Sequence, residues 1–129
     1  MVDDSIVRGD TTKATVRRLH DAGAREVHLF ITFPRITGPC FYGIDMATYS
    51  ELIGARLGPE EIAREVGADS VNNLPIDEYV RCTGMGRDQL CLGCIKGEYP
   101  TPMANELSAK MKARLKRGEE EKGRIYENG

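Results

Sequence analysis

A pair of adjacent carboxylates, followed by a loop rich in hydroxyl groups and then by a helix-like run, most constrains the fold of this chain. Asp3 and Asp4 lead into residues 5–12, which include Arg8 and Gly9. A loop that enters a helix offers unpaired N–H groups and the positive end of the helix dipole, which suit a phosphate. Gly9 allows close approach of backbone and ligand, and Arg8 adds a positive charge. The carboxylates suit two ribose hydroxyls or a Mg²⁺ ion, although a solvated, capped turn gives the same pattern.

The residues after this loop predict half of a doubly wound α/β unit. An apolar stripe predicts a helix over 12–22, capped by Thr11 or Thr12 and ended by Gly23. Residues 26–33 are rich in β-branched and aromatic side chains and predict a buried strand. Loop, helix and strand in this order favour a right-handed crossover and a parallel sheet, so we expect an α/β fold.

The rest of the chain predicts short elements separated by turn-forming residues. Prolines and glycines predict an irregular loop over 34–45. A charged surface helix with a thin apolar stripe is predicted over 102–117, followed by a solvated acidic tail. The other predictions are a helix over 59–66 ended by Gly67, a strand near 71–74, a short helix over 77–81, and Leu107, Met111 and Leu115 as the stripe of the last helix.

Charge and hydropathy exclude several classes of protein. The formal net charge is −2 and the isoelectric point about 5.7, so no basic surface argues for nucleic acid. No apolar run approaches membrane-spanning length, and the acidic N-terminal segment does not resemble a signal peptide. We therefore expect a cytoplasmic protein, in which the four cysteines are reduced thiols or metal ligands rather than disulfides.

The cysteines give the second chemical signal. Cys91 and Cys94 form a C-x-x-C pair, which lets two thiolates converge on one metal ion or cluster. A complete site needs two further ligands, and the remaining cysteines are Cys40, in the irregular loop, and Cys82. The spacing alone leaves open a zinc or iron–sulfur site, a redox dithiol, or thiols without a chemical role.

Residues 3–9, followed by threonines, resemble the phosphoribosyl-pyrophosphate (PRPP) loop of the glutamine PRPP amidotransferases, or amidophosphoribosyltransferases. The resemblance continues in the family's order over about 2–102. The other matching segments are 21–24 (Asp-Ala-Gly-Ala), 39–45 (Pro-Cys-Phe-Tyr-Gly-Ile-Asp), 67–70 (Gly-Ala-Asp-Ser), 91–94 (Cys-Leu-Gly-Cys) and 97–101 (Gly-Glu-Tyr-Pro-Thr).

The resemblance implies a fold, a reaction and a set of ligands. It implies the C-terminal part of a type I phosphoribosyltransferase domain, a Rossmann-like α/β fold, over 1–80, a Cys-containing loop over 81–101, and a charged helix and tail over 102–129. The implied reaction converts PRPP and glutamine into 5-phosphoribosylamine, the first step of de novo purine synthesis. Asp3 and Asp4 would also bind Mg²⁺. The residues that would bind PRPP are Asp3, Asp4, Ser5, Ile6, Val7, Arg8, Gly9, Thr11 and Thr12.

The same resemblance implies a cofactor for the cysteines. Members of the cluster-containing branch carry a [4Fe–4S] cluster held by four cysteines, and three of these positions fall on Cys40, Cys91 and Cys94. The fourth ligand of the family lies upstream of the PRPP loop, in sequence that this chain does not contain. If Cys82 took its place, a closed four-cysteine site for the cluster or for Zn²⁺ would form within the chain. We otherwise expect Cys82 to behave as a small, half-buried apolar residue.

Asp10 departs from the family pattern, which normally places a threonine directly after Arg-Gly. A carboxylate about 4 Å from a phosphate would oppose binding by about 1 kcal/mol even at a water-like dielectric. If Asp10 points outward, Thr11 and Thr12 supply hydroxyls one position later. Otherwise the phosphate site is damaged.

The sequence also lacks the family's upstream strand and its glutaminase domain with the nucleophilic N-terminal cysteine. Three interpretations follow: a C-terminal fragment, a separately encoded subunit that joins a glutaminase half, or an inactive remnant. We expect the chain alone not to hydrolyse glutamine, and to form a homo-oligomer through an open sheet edge. The rival function is a non-catalytic metal- or iron–sulfur-binding module.

Overall fold

The chain has the expected α/β fold, seen here in a computed structural model that describes residues 1–119. One parallel sheet contains three strands in the order β1 (Val2–Asp3), β2 (His28–Ile31), β3 (Ser70–Asn73). The helices are α1 (Asp10–Asp21), α2 (Ile53–Arg56), α3 (Pro59–Val66), α4 (Ile76–Thr83), α5 (Gly93–Lys96) and α6 (Pro102–Lys116), with a 3₁₀ turn at Arg87–Gln89. None of these helices in residues 1–119 is long and apolar enough to cross a membrane.

The core lies between one face of the sheet and helices α1 and α3. Leu29 and Ile31 of β2 are buried here, while His28 and Phe30 alternate to the other face, as the two-residue period of a strand requires. A smaller apolar cluster lies beneath the irregular segment between β2 and α2. The main cluster comprises Ile6, Val16, Val27, Leu29, Ile31, Ile53, Ile62, Ala63, Val66 and Val71, and the smaller one Ile36, Met46 and Leu52.

The opposite side of the sheet has an open face, formed by Val2, Phe30 and Asn72. These residues align across the three strands, so their side chains share one side of the sheet. Val2 is 70% exposed and Phe30 is 55% exposed. Parallel sheets are normally covered on both faces, so an exposed aromatic residue here is unusual. The open face is therefore suited to contact with another polypeptide.

Helix α1 begins earlier than predicted and is capped differently. Gly9, with φ +93°, precedes the helix, and its carbonyl accepts the Lys13 N–H at 2.8 Å. Thr11 and Thr12 lie inside the first turn, so the prediction that one of them caps the helix is wrong. The predicted end of the helix is confirmed, because Gly23 takes the left-handed conformation with φ +96°.

The later elements mostly follow the prediction. Helix α3 ends before Gly67, whose φ is +78°, and α6 covers the predicted range to within one residue. Helix α6 buries Ala104 and Ser108 rather than the predicted leucine–methionine stripe, and Leu115 is 37% exposed. The predicted acidic tail falls largely on 120–129, which lies outside the described residues.

Candidate functional site

The acidic pair lies at the carboxyl end of β1, which is where ligands bind in open parallel α/β sheets. The Asp3 carbonyl accepts hydrogen bonds from the backbone N–H and the hydroxyl of Thr32, at 3.0 and 3.3 Å. Asp4 donates its backbone N–H to Asp3 Oδ1 at 2.9 Å, and the Ser5 hydroxyl donates to Asp4 Oδ1 at 3.0 Å. Both aspartates are exposed, so a sugar or a metal ion can reach their carboxylates.

The acidic pair and the residues after it line a cavity of about 290 Å³ beside the start of α1, which we name the phosphate-loop cavity after the ligand predicted from the sequence. Gly9 is buried in the loop, and a Cβ at this position would lie 3.0 Å from Ile53 Cδ1. Ile6, which was predicted to bind PRPP, is 7% exposed and packs in the main apolar cluster. The other predicted residues come together, since the cavity is lined by Asp3, Asp4, Ser5, Val7, Arg8, Gly9, Asp10, Thr11 and Thr12.

Asp10 lies among the residues that line this cavity. It is the first residue of α1 and is exposed, which places a carboxylate beside the N-terminal end of the helix. Thr11 is exposed and Thr12 is 5% exposed, so the two hydroxyl-bearing residues differ in how far a ligand can reach them. A phosphate beside the start of α1 would therefore meet favourable helix N–H groups and the unfavourable charge of Asp10.

Sequence patterns give no signal for Glu51, which holds the arginine of the loop. Arg8 Nη2 forms an ion pair with Glu51 Oε2 and lies 3.4 Å from the Asp45 carbonyl oxygen. Glu51 Oε1 accepts the backbone N–H of Thr48 at 2.8 Å and its hydroxyl at 3.3 Å. Burial opposes ionisation of Glu51, but these hydrogen bonds and the Arg8 charge outweigh it and lower the pKa of the carboxyl group. The pair spans 43 positions of sequence, so only the fold brings it together.

Three of the four cysteines line a second cavity of about 470 Å³, the cysteine cavity. Cys40 comes from the irregular segment after β2, and Cys91 and Cys94 come from the turn at the start of α5. Burial raises the pKa of the Cys94 thiol, and the neighbouring Cys40 and Cys91 raise it further. The backbone N–H of Tyr42 donates to Cys40 Sγ at 3.4 Å. The other lining residues are Asp4, Ser5, Val7, Phe33, Ile36, Tyr42, Ile44 and Met46.

The two cavities are neighbours, which the sequence did not indicate. Asp4, Ser5 and Val7 line both the phosphate-loop cavity and the cysteine cavity. A displacement of the cysteine segments would therefore change a cavity that residues of the phosphate loop also line.

Cys82 lies elsewhere. It is exposed near the end of α4 and is not among the residues that line the cysteine cavity. Within residues 1–119, no three histidine, cysteine, aspartate or glutamate side chains are already arranged to hold a metal ion. The sulfur donors and apolar walls suit an iron–sulfur cluster or zinc in kind, but the cavity provides one thiol fewer than a four-cysteine site requires.

Tyr99 ties the two cysteine segments together and was not predicted. Its side chain is 6% exposed, and its hydroxyl donates to the Pro39 carbonyl at 2.8 Å. Burial raises the pKa of Tyr99 well above its usual range, and Tyr49 adds to the shift. Gly93, between the two cysteines, leaves room for the ring, because a Cβ there would collide with Tyr99. The only sequence signal for Tyr99 is its place in the segment Gly-Glu-Tyr-Pro-Thr, one of those that carry the family resemblance.

Comparison with known proteins finds relatives over most of the chain. An amidophosphoribosyltransferase of Methanothermobacter thermautotrophicus is 48% identical over 108 residues, which are 84% of this chain and 23% of that protein. An amidophosphoribosyltransferase of Methanocaldococcus jannaschii is 50% identical over 101 residues, or 78% of this chain and 21% of that protein. The chain thus spans less than a quarter of the length of these relatives. No family model matches the chain.

A solved structure shares the fold. Glutamine PRPP amidotransferase from B. subtilis, complexed with ADP and GMP, superposes with a TM-score of 0.73 at 46% sequence identity. The match covers 80% of this chain and 24% of that one. The phosphoribosyltransferase-type α/β fold expected from the sequence is therefore confirmed.

Proposed function

Since this chain is homologous to one segment of the amidophosphoribosyltransferases, we propose that it supplies the PRPP-binding loop of such an enzyme. In the proposed reaction, ammonia released from glutamine attacks C1 of PRPP. The new C–N bond forms as the bond from C1 to pyrophosphate breaks, and the product is 5-phosphoribosylamine. This reaction opens de novo purine synthesis.

The carboxylates of Asp3 and Asp4 have the proposed task of binding the ribose hydroxyls and Mg²⁺. Their exposure at the carboxyl end of β1 supports this role, as does the preference of Mg²⁺ for carboxylate oxygens. Positive charge develops on the ribose ring as pyrophosphate leaves, and two fixed carboxylates stabilise it. No general base is required of this segment, so positioning and electrostatics account for its contribution.

The phosphate-loop cavity is the observation that supports the proposal most strongly. It joins the acidic pair to the N-terminal end of α1, so one small cavity can receive both ends of a phosphorylated sugar. In the proposed complex, backbone N–H groups of 5–12 and the hydroxyls of Ser5, Thr11 and Thr12 bind the 5-phosphate.

Calorimetric titration with PRPP and Mg²⁺ tests this function. We expect wild-type protein to release heat and the double variant Asp3→Asn/Asp4→Asn to release none, because the neutral amides bind Mg²⁺ far more weakly. Asp21→Asn, at the other end of α1, is the matched control and should bind like wild type. Folded wild-type protein that gives no heat with PRPP would contradict the proposal.

The cysteine cavity supports a second proposal, a structural metal site. Cys40, Cys91 and Cys94 would hold a [4Fe–4S] cluster or Zn²⁺, with a fourth ligand from another polypeptide segment. Such a group would tie the loop after β2 to the turn before α5 and so stabilise both segments. If the chain binds metal but not PRPP, it is a non-catalytic metal-binding module. If it binds neither, it is an inactive remnant.

Anaerobic reconstitution with iron and sulfide, or with zinc, separates these outcomes. We expect metal bound to wild type and to Cys82→Ser, and little metal bound to Cys40→Ser or Cys94→Ser. Loss of metal in Cys82→Ser would instead place the fourth ligand within this chain. Fully reduced wild-type protein that retains neither iron nor zinc would contradict the metal site.

We also propose that a polypeptide with the glutaminase half completes the enzyme. The small share of the relatives that this chain covers and the exposed Phe30 on the open face support this partner. The four free thiols favour a reducing compartment such as the cytoplasm.

A further inference from the structure

The shape of the phosphate loop depends on contacts that lie outside the loop itself. The Val7 carbonyl accepts the backbone N–H of Ile53 at 2.9 Å, and the buried Gly9 packs close to the side chain of the same residue. Arg8 lies between these two contacts and forms the ion pair with Glu51. The loop is therefore attached at three successive positions to the start of α2 and the residues just before it.

Glu51 is itself held in place from the opposite side. One carboxylate oxygen pairs with the Arg8 guanidinium, and the other accepts hydrogen bonds from the backbone N–H and the hydroxyl of Thr48. Its side chain is 20% exposed and that of Arg8 is 46% exposed, so the carboxylate is the better shielded of the two groups. Thr48 is 9% exposed. One oxygen of Glu51 thus joins two segments that are distant in sequence, while the other is held by Thr48 of its own segment.

The segment that carries Glu51 also carries the cysteine loop. The Met46 carbonyl accepts the backbone N–H of Cys40 at 2.8 Å, and the neighbouring Asp45 carbonyl lies 3.4 Å from Arg8 Nη2. The backbone of 45–51 therefore contacts the phosphate loop on one side and Cys40 on the other.

We propose that Glu51 is a positioning residue that keeps the phosphate loop in its open shape by anchoring Arg8, and that Arg8 acts as this anchor rather than as a phosphate ligand. The assignment rests on the proposed PRPP-binding function of the loop. A guanidinium that is paired with a carboxylate and lies beside a carbonyl oxygen has less positive charge to offer a phosphate. The phosphate then depends on backbone N–H groups, which bind it only if the loop is held in one conformation.

Amide hydrogen exchange tests the anchor without any ligand. The Ile53 amide reports on attachment of the loop, because it donates to Val7, and the Leu74 amide, which donates to Ile31, reports on the sheet. In Glu51→Gln we expect exchange at Ile53 to become about tenfold faster while exchange at Leu74 stays unchanged, because only the loop opens. Glu65→Gln is the matched control, since Glu65 also pairs with a basic residue, Lys13 of α1, at 3.2 Å.

A double-mutant cycle tests whether Glu51 acts through Arg8. Arg8→Gln and the double variant Arg8→Gln/Glu51→Gln should each speed exchange at Ile53 by the same factor as Glu51→Gln, because all three remove one contact. Additive effects, or equal acceleration at Ile53 and Leu74, would overturn the proposal and leave Glu51 with a general structural role.

PRPP titration of the same variants tests the part assigned to Arg8. We expect Glu51→Gln, Arg8→Gln and the double variant to weaken PRPP binding by a similar factor, about tenfold, while Glu65→Gln binds like wild type. Much weaker binding by Arg8→Gln than by Glu51→Gln would make Arg8 a direct phosphate ligand and overturn the proposal. If wild-type protein does not bind PRPP, the proposed function fails, while the exchange experiment still decides whether Glu51 anchors the loop.

Discussion

Asp10 is the residue at which the loop chemistry of this chain is least favourable to a phosphate. Its carboxylate lies at the start of α1 and lines the phosphate-loop cavity. The same charge stabilises the helix by about 0.3–1 kcal/mol, because it faces the positive end of the helix dipole. A single side chain therefore stabilises the fold while opposing the proposed ligand.

Replacing Asp10 with threonine should separate these two effects. In Asp10→Thr we expect PRPP to bind about fivefold more tightly, because removal of the like charge recovers about 1 kcal/mol. The unfolding free energy should fall slightly as the helix loses its N-terminal carboxylate. Titration calorimetry and urea denaturation measure the two changes, with Asp21→Asn as the control. Unchanged or weaker PRPP binding in Asp10→Thr would show that the carboxylate points away from the ligand.

Comparison of Gly9 with Gly23, which follows the other end of α1, measures how much unfolding free energy a side chain in the loop would cost. Both have positive φ, +93° and +96°, but a Cβ would contact Ile53 only at Gly9 and meets nothing within 4 Å at Gly23. We expect Gly23→Ala to cost about 1–2 kcal/mol from backbone strain alone. Gly9→Ala should cost more, because Ile53 must also move. Equal losses of unfolding free energy in urea would mean that the loop adapts to the added methyl group.

At the scale of elements, the segments between β2 and α2 and between α4 and α6 carry much of the site, although they contain little regular structure. Each is held by polar contacts that cross long stretches of sequence, such as the Arg8–Glu51 pair and the hydrogen bond from Tyr99 to Pro39. Helix α6 joins this arrangement through the Tyr49 and Ser108 hydroxyls, which lie 2.8 Å apart. The cysteine cavity therefore depends on the packing of loops more than on the sheet.

The Glu51 contact predicts an acid-dependent stability. A carboxyl group whose pKa is lowered in the folded state stabilises the protein above its unfolded pKa and loses this effect as pH falls through the folded value. The unfolding free energy of wild type should exceed that of Glu51→Gln at neutral pH, and the difference should shrink below pH 4.5, the value for the unperturbed group.

Urea denaturation across this pH range measures the effect, and Glu65→Gln again serves as the control. A difference between wild type and Glu51→Gln that is independent of pH would show that the carboxylate charge does not contribute to stability.

At the scale of the whole molecule, the sheet is narrow and has one open face. With three strands, and with Val2 and Phe30 exposed, it leaves apolar surface where parallel sheets usually pack against further elements. This feature agrees with the match to less than a quarter of the length of each relative. We expect this surface to be covered in the functional assembly.

The chain by itself should self-associate through the open face. Sedimentation velocity should show concentration-dependent oligomers for wild type and mainly monomer for Phe30→Ser, because the substitution removes the largest exposed apolar group of that face. Met103→Ser, a change at a residue of α6 that is 70% exposed, should leave association unchanged. Wild type that stays monomeric at every concentration, or equal effects of both substitutions, would contradict this role of Phe30.

The sequence alone determined the features that depend on neighbouring residues. The run from Asp3 to Thr12 predicted a loop that enters a helix, and the structure has such a loop before α1, while its phosphate ligand stays a prediction. Gly23 and Gly67 were predicted to end helices, and both adopt left-handed backbone that glycine takes at least cost. The α/β class followed from the same local patterns.

Only the tertiary structure decided which distant groups meet. The capping prediction for α1 was wrong because Gly9, packed against Ile53, turns the chain before either threonine. The Arg8–Glu51 pair and the approach of Cys40 to the C-x-x-C turn join residues tens of positions apart, and no local pattern encodes such distances. Local backbone preferences act over a few residues. The packing of the loops against the core instead decides which side chains from distant segments come into contact.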